Sequence, residues 1–506
     1  MNAKIKSALA ERKRRIASRI DPRQLPSGVA LPSEYGRRRF AVTTRGNVTA
    51  FGGVALAAQL IDGMGLREEI DASLSLLRRH RPYSEGDHVL SLALASFCGA
   101  RALDDLDVLR EDEGFLDAVG MQRMPDPTTS GDFLRRFTEE DVGHLMEAIN
   151  RVRKRCWESL SKKQKEVATI DVDGTLVNTH GERKEGTDFN YKGGFGYAPL
   201  VVSLANTKEP LYIRNQPGNR PSNDGFVTEV EAAIETVLAS GFKRVRVRGD
   251  RAYAVTRHFD GWSRRDIEFV FSMTMHERLN RLVAELPDTE WKPLKRKERG
   301  AKNRRRRARP KNVKRQCIVD RGYRTLRQET EQFTEITHRP SRCKNDYRLV
   351  VVRKTIAVIE GQLELENEVR YFGYITNAPK AALSARQIIR ESNDRCDQEN
   401  LIEQLKNGVA ALTAPVGDLV SNWAWMVIAA LPLSFKAWLS ILHPDKDART
   451  QLRRMQYRRF LRTIVLVPVR VAKEARGLAL KILGHTSNGA LLIEGLNRLR
   501  QLSAPP

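Results

Sequence analysis

Apolar positions change their period twice along this chain, and the changes divide it. From Phe51 to about Lys165 they recur at helical spacing: Val54, Leu56, Ala57 and Leu60 share one face, as do Val89, Leu92, Leu94 and Cys98. Asp126-Pro127-Thr128-Thr129 supplies a turn and a cap before a helix holding Phe133, Leu134 and Phe137. The spacing predicts an all-helical N-terminal domain over 51–165, one that packs only as helices or also binds DNA. Ahead of it, 1–50 is basic and rich in turn residues (Pro22, Pro26, Gly28, Pro32, Gly36), which predicts a loosely ordered arm.

At Val167 the period shortens to that of strands. Val167–Val172, Leu200–Ala205 and Leu211–Arg214 read as three strands, and Pro217-Gly218-Asn219 then breaks the chain. A helix follows with Val227, Val230, Ile234, Val237 and Leu238 on one face and Gly241 as its stop. Val245 and Val247 alternate with Arg244, Arg246 and Arg248 in the next strand, a helix-like stretch covers 252–262, and Ile267–Met273 makes a fifth strand. Three strands, helix, strand, helix and strand is the order of a ribonuclease-H-like core, although order alone does not establish a fold. Its first part spans 166–276. A β-rich insertion over 277–380 carries strand-like 347–352 and 369–375. Helical patterning resumes at Leu383 and fills 381–445, and 446–506 is expected to hold a terminal strand pair, Thr463–Val471 with Gly477–Ile482, and a helix. The fold class expected is therefore α/β: a ribonuclease-H-like catalytic core with a β-rich insertion, preceded by an all-helical N-terminal domain.

Length sharpens this picture: 506 residues exceed one ordinary core, so two to four domains are expected. The most apolar run, Trp423–Leu433, is broken by Pro432 and followed by Lys436. It falls short of the ~20 residues a span needs, which predicts a buried helix and no membrane. Met1–Arg15 is basic without an apolar segment, and the five cysteines (Cys98, Cys156, Cys317, Cys343, Cys396) are scattered. Both point to reduced thiols in a cytoplasmic protein without disulfides or a zinc site. Charge changes the picture most. The chain carries +25, and between Lys292 and Arg315 fourteen residues are basic against one acid, Glu298. A run this dense, with Arg304, Arg305, Arg306, Arg307 and Arg309 at its heart, predicts contact with nucleic-acid phosphates rather than a merely solvated loop.

Three carboxylates stand out against that basic background. Side chains two apart on a strand share a face, so Asp171 and Asp173 point the same way, and Gly174 lets the backbone turn away beside them. Asp250 ends another strand, also beside a glycine. A single aspartate at a strand end more commonly caps a turn. Glu399 lies on a helix with Arg395 four residues before it and Lys406 eleven residues after Arg395, offsets that place all three on one face. That face is either an exposed salt-bridge ladder or a working surface on which Glu399 ligates metal while Arg395 and Lys406 hold phosphates. Carboxylates delivered by three elements to one point are what a pair of divalent metal ions requires for phosphodiester chemistry.

These motifs resemble the DDE transposases of bacterial insertion sequences, in particular the branch with a Tyr/Arg/Glu/Lys signature, and are similar to the insertion sequence 1380 family. The likeness rests on Asp171-x-Asp173-x-Thr175, Tyr197-x-Pro199-Leu200, Arg214 with Pro217-Gly218-Asn219, Arg248-Gly249-Asp250, Tyr371-x-Gly373-Tyr374-Ile375-Thr376-Asn377, and Glu399-Asn400-x-Ile402 with Lys406. Thr129–Phe137 also fits, so the resemblance runs from about Phe51 to Leu483. It implies cut-and-paste transposition: hydrolysis at the transposon ends, then attack of the freed 3′-hydroxyl on target DNA. It implies catalytic acids Asp173, Asp250 and Glu399 holding two Mg²⁺ ions (Mn²⁺ able to substitute), with Asp171 open as the alternative first acid. The implied partners are double-stranded DNA, as terminal inverted repeats and as target, and a second copy of the chain once on DNA. The implied location is the bacterial cytoplasm, at the nucleoid. Where the signature has tyrosine this chain has Ser392. A nuclease without strand transfer, and an idle DNA-binding derivative, are the other readings. His180, His258 and His276 near the motifs are read as structural or phosphate-contacting.

Overall fold

β-Branched residues placed alternately with charge build the centre of the molecule. The computed structural model describes residues 47–78, 80, 82–190, 192–295, 324–360, 363–474, 477–483 and 489–502. A short strand β1 (Asn47–Thr49) precedes a helical region in which the largest helices are Val54–Met64, Glu85–Phe97 and Glu139–Trp157. Asp126 caps the Pro127–Leu134 helix through the Thr129 amide, and Thr138 with Asp141 forms a capping box for Glu139–Trp157.

The chain then enters β2 (Val167–Gly174). Three short strands follow as a separate small sheet: β3 (Val177–Asn178), β4 (Asp188–Phe189) and β5 (Phe195–Tyr197). Next come β6 (Leu200–Leu204), β7 (Glu209–Arg214), the helix Phe226–Ala239, β8 (Arg244–Gly249), the helix Phe259–Arg264 and β9 (Ile267–Met273). β10 (Lys292–Pro293), β11 (Arg324–His338), β12 (Tyr347–Glu360) and β13 (Leu363–Thr376) complete a nine-stranded sheet of order β10-β11-β12-β13-β9-β8-β2-β6-β7. β2 runs antiparallel to β6 and parallel to β8, and β8 is parallel to β9. Two crossover helices supply the connections that parallel neighbours require.

The stretch expected as an insertion continues the central sheet, because β13 pairs antiparallel with β9 (Ile375 opposite Phe271). β11 had no sequence signal: its Thr-Glu-Gln composition lacks an apolar alternation, and pairing to β12 holds it. The expected arm ends earlier than residue 50, since β1 pairs with β14 (Val469–Glu474), which pairs in turn with β15 (Gly477–Ile482). The run Thr463–Val465, expected as strand, instead lies in a π turn over Leu461–Val465 that extends the Tyr457–Phe460 helix. The reason is a close fit. The amides of Gly52 and Gly53 donate to the Val467 and Val465 carbonyls at 2.9 and 3.1 Å. A Cβ on Gly53 would lie 1.9 Å from the Ile464 carbonyl oxygen.

The Leu419–Leu442 helix runs through the interior and packs on the Glu85–Phe97 and Glu139–Trp157 helices and on β7. Among the described residues it alone is long and apolar enough to cross a membrane, and its whole apolar window is buried inside the fold.

Candidate active site

The site is assembled where β2 and β8 end side by side. Ile170 and Val172 turn into the core, fully buried, which sends Asp171 and Asp173 to the opposite face. The two carboxylates meet different fates. Asp171 lies opposite Arg248 in the parallel register and accepts a bidentate pair of bonds, Nε to Oδ1 at 2.7 Å and Nη2 to Oδ2 at 2.8 Å. The third guanidinium nitrogen bonds the Glu391 carboxylate at 2.9 Å and its carbonyl at 3.1 Å. Asp171 is 1% exposed. Asp171, the alternative first acid, thus neutralises an arginine inside the sheet, with both oxygens engaged.

Asp173 stands two residues further along, at the sheet's end. Its Oδ1 accepts from the Gly174 amide at 2.9 Å, and its Oδ2 lies 3.2 Å from Arg395 Nη1. Burial pushes its carboxyl up to about 6, Arg395 pulls it down, and the charges of Asp250 and Glu399 push it up further. Asp250 follows β8 directly and caps the 3₁₀ turn Arg251–Tyr253 by accepting from the Ala252 amide at 2.8 Å. The Tyr253 hydroxyl donates to the Ser222 carbonyl at 3.0 Å. Burial and the nearby charges of Asp173 and Asp250 hold that phenol above its ordinary range, so it stays neutral beside both acids. Gly174 is needed here for space: a Cβ would come within 2.8 Å of the Tyr253 hydroxyl and 2.9 Å of Ser222 Cβ.

The third acid arrives on a broken helix. The Ala385–Asp394 helix stops at Arg395, a new helix spans Cys396–Glu403, and a π turn covers Gln404–Gly408. Gln398, 1% exposed, ties the middle segment to β6 by donating to the Val201 carbonyl at 3.0 Å and accepting from Ser203. Glu399 then projects outward with a side chain 60% exposed. Arg395 lies between the acids, 3.6 Å from Glu399 Oε1 as well as 3.2 Å from Asp173. Lys406 does not continue a uniform helical face, because the π turn adds a residue to the last turn. Its ammonium donates to the Leu176 carbonyl at 2.7 Å, and burial, with the charge of Lys192, lowers its pKa. The two cations expected to hold phosphates thus hold protein groups here. Arg304 to Arg307 and Arg309 lie outside the described residues.

Among the described residues no three His, Cys, Asp or Glu side chains are drawn together as a ready metal cage. The cause is visible in the distances: Arg395 is the counter-charge between Asp173 and Glu399. The donor set nevertheless suits a hard divalent cation, since all three groups offer carboxylate oxygens. His258 lies against Trp262, with ring centroids 5.9 Å apart, and His276 caps the Glu277–Ala284 helix. Ser392 is 9% exposed, with its hydroxyl 3.4 Å from that of Ser272.

Sequence reasoning missed Tyr253, Gln398 and the role of Arg248. Arginines alternating with valines on a central strand were a usable signal, because charges inside a sheet demand carboxylate partners. Arg246 and Arg248 find theirs in Glu268 and Asp171.

A family model described as "Transposase DDE domain group 1" matches residues 33–504. No curated protein sequence matches the chain. Among solved structures, one similar chain comes from the cryo-EM structure of a piggyBac transposase synaptic complex with hairpin DNA. It is 11% identical, with 83% of this chain and 81% of that chain covered and a TM-score of 0.36.

Proposed function

Because the chain belongs to the family of group 1 DDE transposase domains, we propose that it is a cut-and-paste DNA transposase that cleaves transposon ends and joins the freed 3′-hydroxyls to target DNA. What supports this reading is that Asp250, just past β8, and Glu399, on a helix, lie near enough to Asp173 at the end of β2 for their charges to act on its carboxyl, and that Arg395 pairs with both Asp173 and Glu399. The strand order β7-β6-β2-β8-β9, with the first two pairings antiparallel and the last two parallel, supports a ribonuclease-H-like core beneath them.

In this reading Asp173, Asp250 and Glu399 hold two Mg²⁺ ions, or Mn²⁺ in their place. Bound there, the metal would lower the pKa of the attacking water or hydroxyl and stabilise the leaving oxygen. Arg395 is the resident counter-charge of the acid set, and it is the residue placed to turn to a DNA phosphate once a metal neutralises the acids. Lys406 fixes the backbone just past Thr175 through Leu176, which sets the entrance to the site. Tyr253, neutral and buried, keeps a hydroxyl between Ser222 and the acids without adding charge. In the same reading the substrates are terminal inverted repeats and target duplex, engaged by a dimer formed on DNA, and the resemblance of the motifs supports a bacterial transposase of the insertion sequence 1380 branch, acting in the cytoplasm on the nucleoid.

The deciding assay uses labelled terminal DNA in Mg²⁺, wild type against Glu399→Gln. Wild type should cleave and join; the variant should bind but do neither. Cleavage by wild type with no joined product would favour a simple nuclease, and binding with no cleavage an idle DNA-binding derivative. Joined product from Glu399→Gln at wild-type yield would remove Glu399 from the chemistry. In a companion measurement, replacing Arg304–Arg307 with alanine should reduce the salt slope of DNA binding by ~0.9 for each phosphate the chain no longer neutralises.

A further inference from the structure

Beside the segment that carries Glu399, against Asn400 and Gln404, lies a second charged feature that includes none of the three acids. A small recess is lined by Lys208, Lys436, Arg453 and Arg454, with Thr207 and Asn400 among the lining residues. No carboxylate lines it. Asp397, 3.4 Å from Lys208, is the ion-pair partner of that lysine outside the lining.

Lys436 is the unusual member. It sits within the buried Leu419–Leu442 helix, 7% exposed, and among the described residues no acid is within ion-pair distance of it. Its ammonium has a single long hydrogen bond, 3.5 Å to the Arg453 carbonyl, where three donors are available. The Thr207 hydroxyl, on a residue 5% exposed, also lines the recess and has no hydrogen-bond partner. Lys208 takes φ +61, where glycine rests more easily than any side chain. A buried ammonium without an acid is costly to keep, and burial, reinforced by Lys208, pushes its pKa down to about 8.

We propose that this recess is a binding site for a single oxyanion of the phosphate class. Such an anion would supply the acceptors that Lys436 and Thr207 lack and would offset part of the positive charge of Lys436, Arg453 and Arg454. The inference stands apart from the catalytic reading, since none of its residues carries that chemistry. The phosphate could belong to a free anion or to the backbone of a bound DNA strand reaching the mouth, and one experiment separates the two.

The full chain is studied with chelator present and chloride matched for ionic strength. Inorganic phosphate binding is followed by calorimetry and thermal unfolding, and duplex binding by anisotropy with and without phosphate. Lys436→Met keeps the stem and removes the charge, a change that buried sites tolerate well; Thr207→Val removes the second polar partner and serves as the independent variant. Phosphate should raise the wild-type melting temperature, and Lys436→Met should weaken its binding about tenfold or more. If phosphate also competes with the duplex, and Lys436→Met loses DNA affinity, the occupant is a backbone phosphate. If DNA affinity is unmoved while the phosphate effect persists, the occupant is free anion. Equal phosphate response and equal DNA affinity in wild type and both variants would overturn the site.

Discussion

Two charged clusters lie within the same fold and are built on opposite rules. Around Glu209, fully buried, every charge is answered: Arg153 Nε bonds its carboxylate at 2.9 Å, and the indole N–H groups of Trp157 and Trp438 donate to it at 2.8 and 2.9 Å. The same arginine donates to the Pro210 carbonyl at 2.8 Å and to Ser434 at 3.1 Å. Around Asp173, one arginine, Arg395, answers two acids, Asp173 and Glu399, while the charge of Asp250 also bears on Asp173. The first cluster locks the Glu139–Trp157 helix, β7 and the Leu419–Leu442 helix together. The second is left with excess negative charge at a surface. Charge balance, more than the presence of acids, separates a structural knot from a site suited to a cation.

The largest test of that contrast is catalytic. Asp173→Asn should cut strand cleavage by about a thousandfold or more, the rate equivalent of the several kcal/mol a correctly held metal supplies. Retention of near-wild-type cleavage would dissolve the distinction at its stronger end. Next in size is the structural knot. Arg153→Met leaves Glu209 buried without its cation, and chemical denaturation should show a loss of about 3–5 kcal/mol. Activity per folded molecule should be unchanged. A change below ~1 kcal/mol would mean that the two indoles alone satisfy the carboxylate.

The third test reverses the sign. Asp173 binds its proton more tightly when folded than when unfolded, since its carboxyl rises from 3.8 to about 6. Its ionised form therefore costs the folded state stability above about 6, and that cost is lifted as pH falls from about 6 towards 3.8. In chelator at pH 8, Asp173→Asn should be more stable than wild type by on the order of 2 kcal/mol, and the difference should vanish near pH 4. A destabilised variant at pH 8 would show that Arg395 already balances the acids. The smallest effect belongs to a pair with knot-like geometry in water. Arg220 and Asp224 meet at 2.8 Å with side chains 58% and 45% exposed. Arg220→Ala should change unfolding free energy by under ~1 kcal/mol, and a larger effect would make burial irrelevant to the comparison.

Much of the scaffold could be read from side-chain period. The strands at Val167, Leu200, Leu211, Val245 and Ile267 appear where alternation placed them, and Gly241 follows the Phe226–Ala239 helix. Period fails where tertiary packing overrides local preference. Nothing in Arg395–Lys406 announces a break at Arg395 or a π turn at Gln404, because both depend on Gln398 docking against β6 and on Tyr457, whose amide donates to Gln404 at 2.9 Å. Asp171 and Asp173 could not be told apart locally, since the arginine that claims one of them comes from another strand. Glu209, just ahead of the expected Leu211–Arg214 strand, carries no local sign of being the buried knot, because its partners lie 56 and 229 residues away.

The close approach of Gly53 to the Ile464 carbonyl also fixes an order of events in time. The helices before residue 157 cannot close their core until residues 419–471 exist, because the long interior helix and the turn against Gly52 and Gly53 are part of that core. At synthesis rates of about 5–20 residues per second, the early helices wait at least ~15 seconds with apolar faces uncovered. Through that interval the growing chain carries apolar surface of the kind that chaperones bind, and the N-terminal core closes only once residues 419–471 have been made.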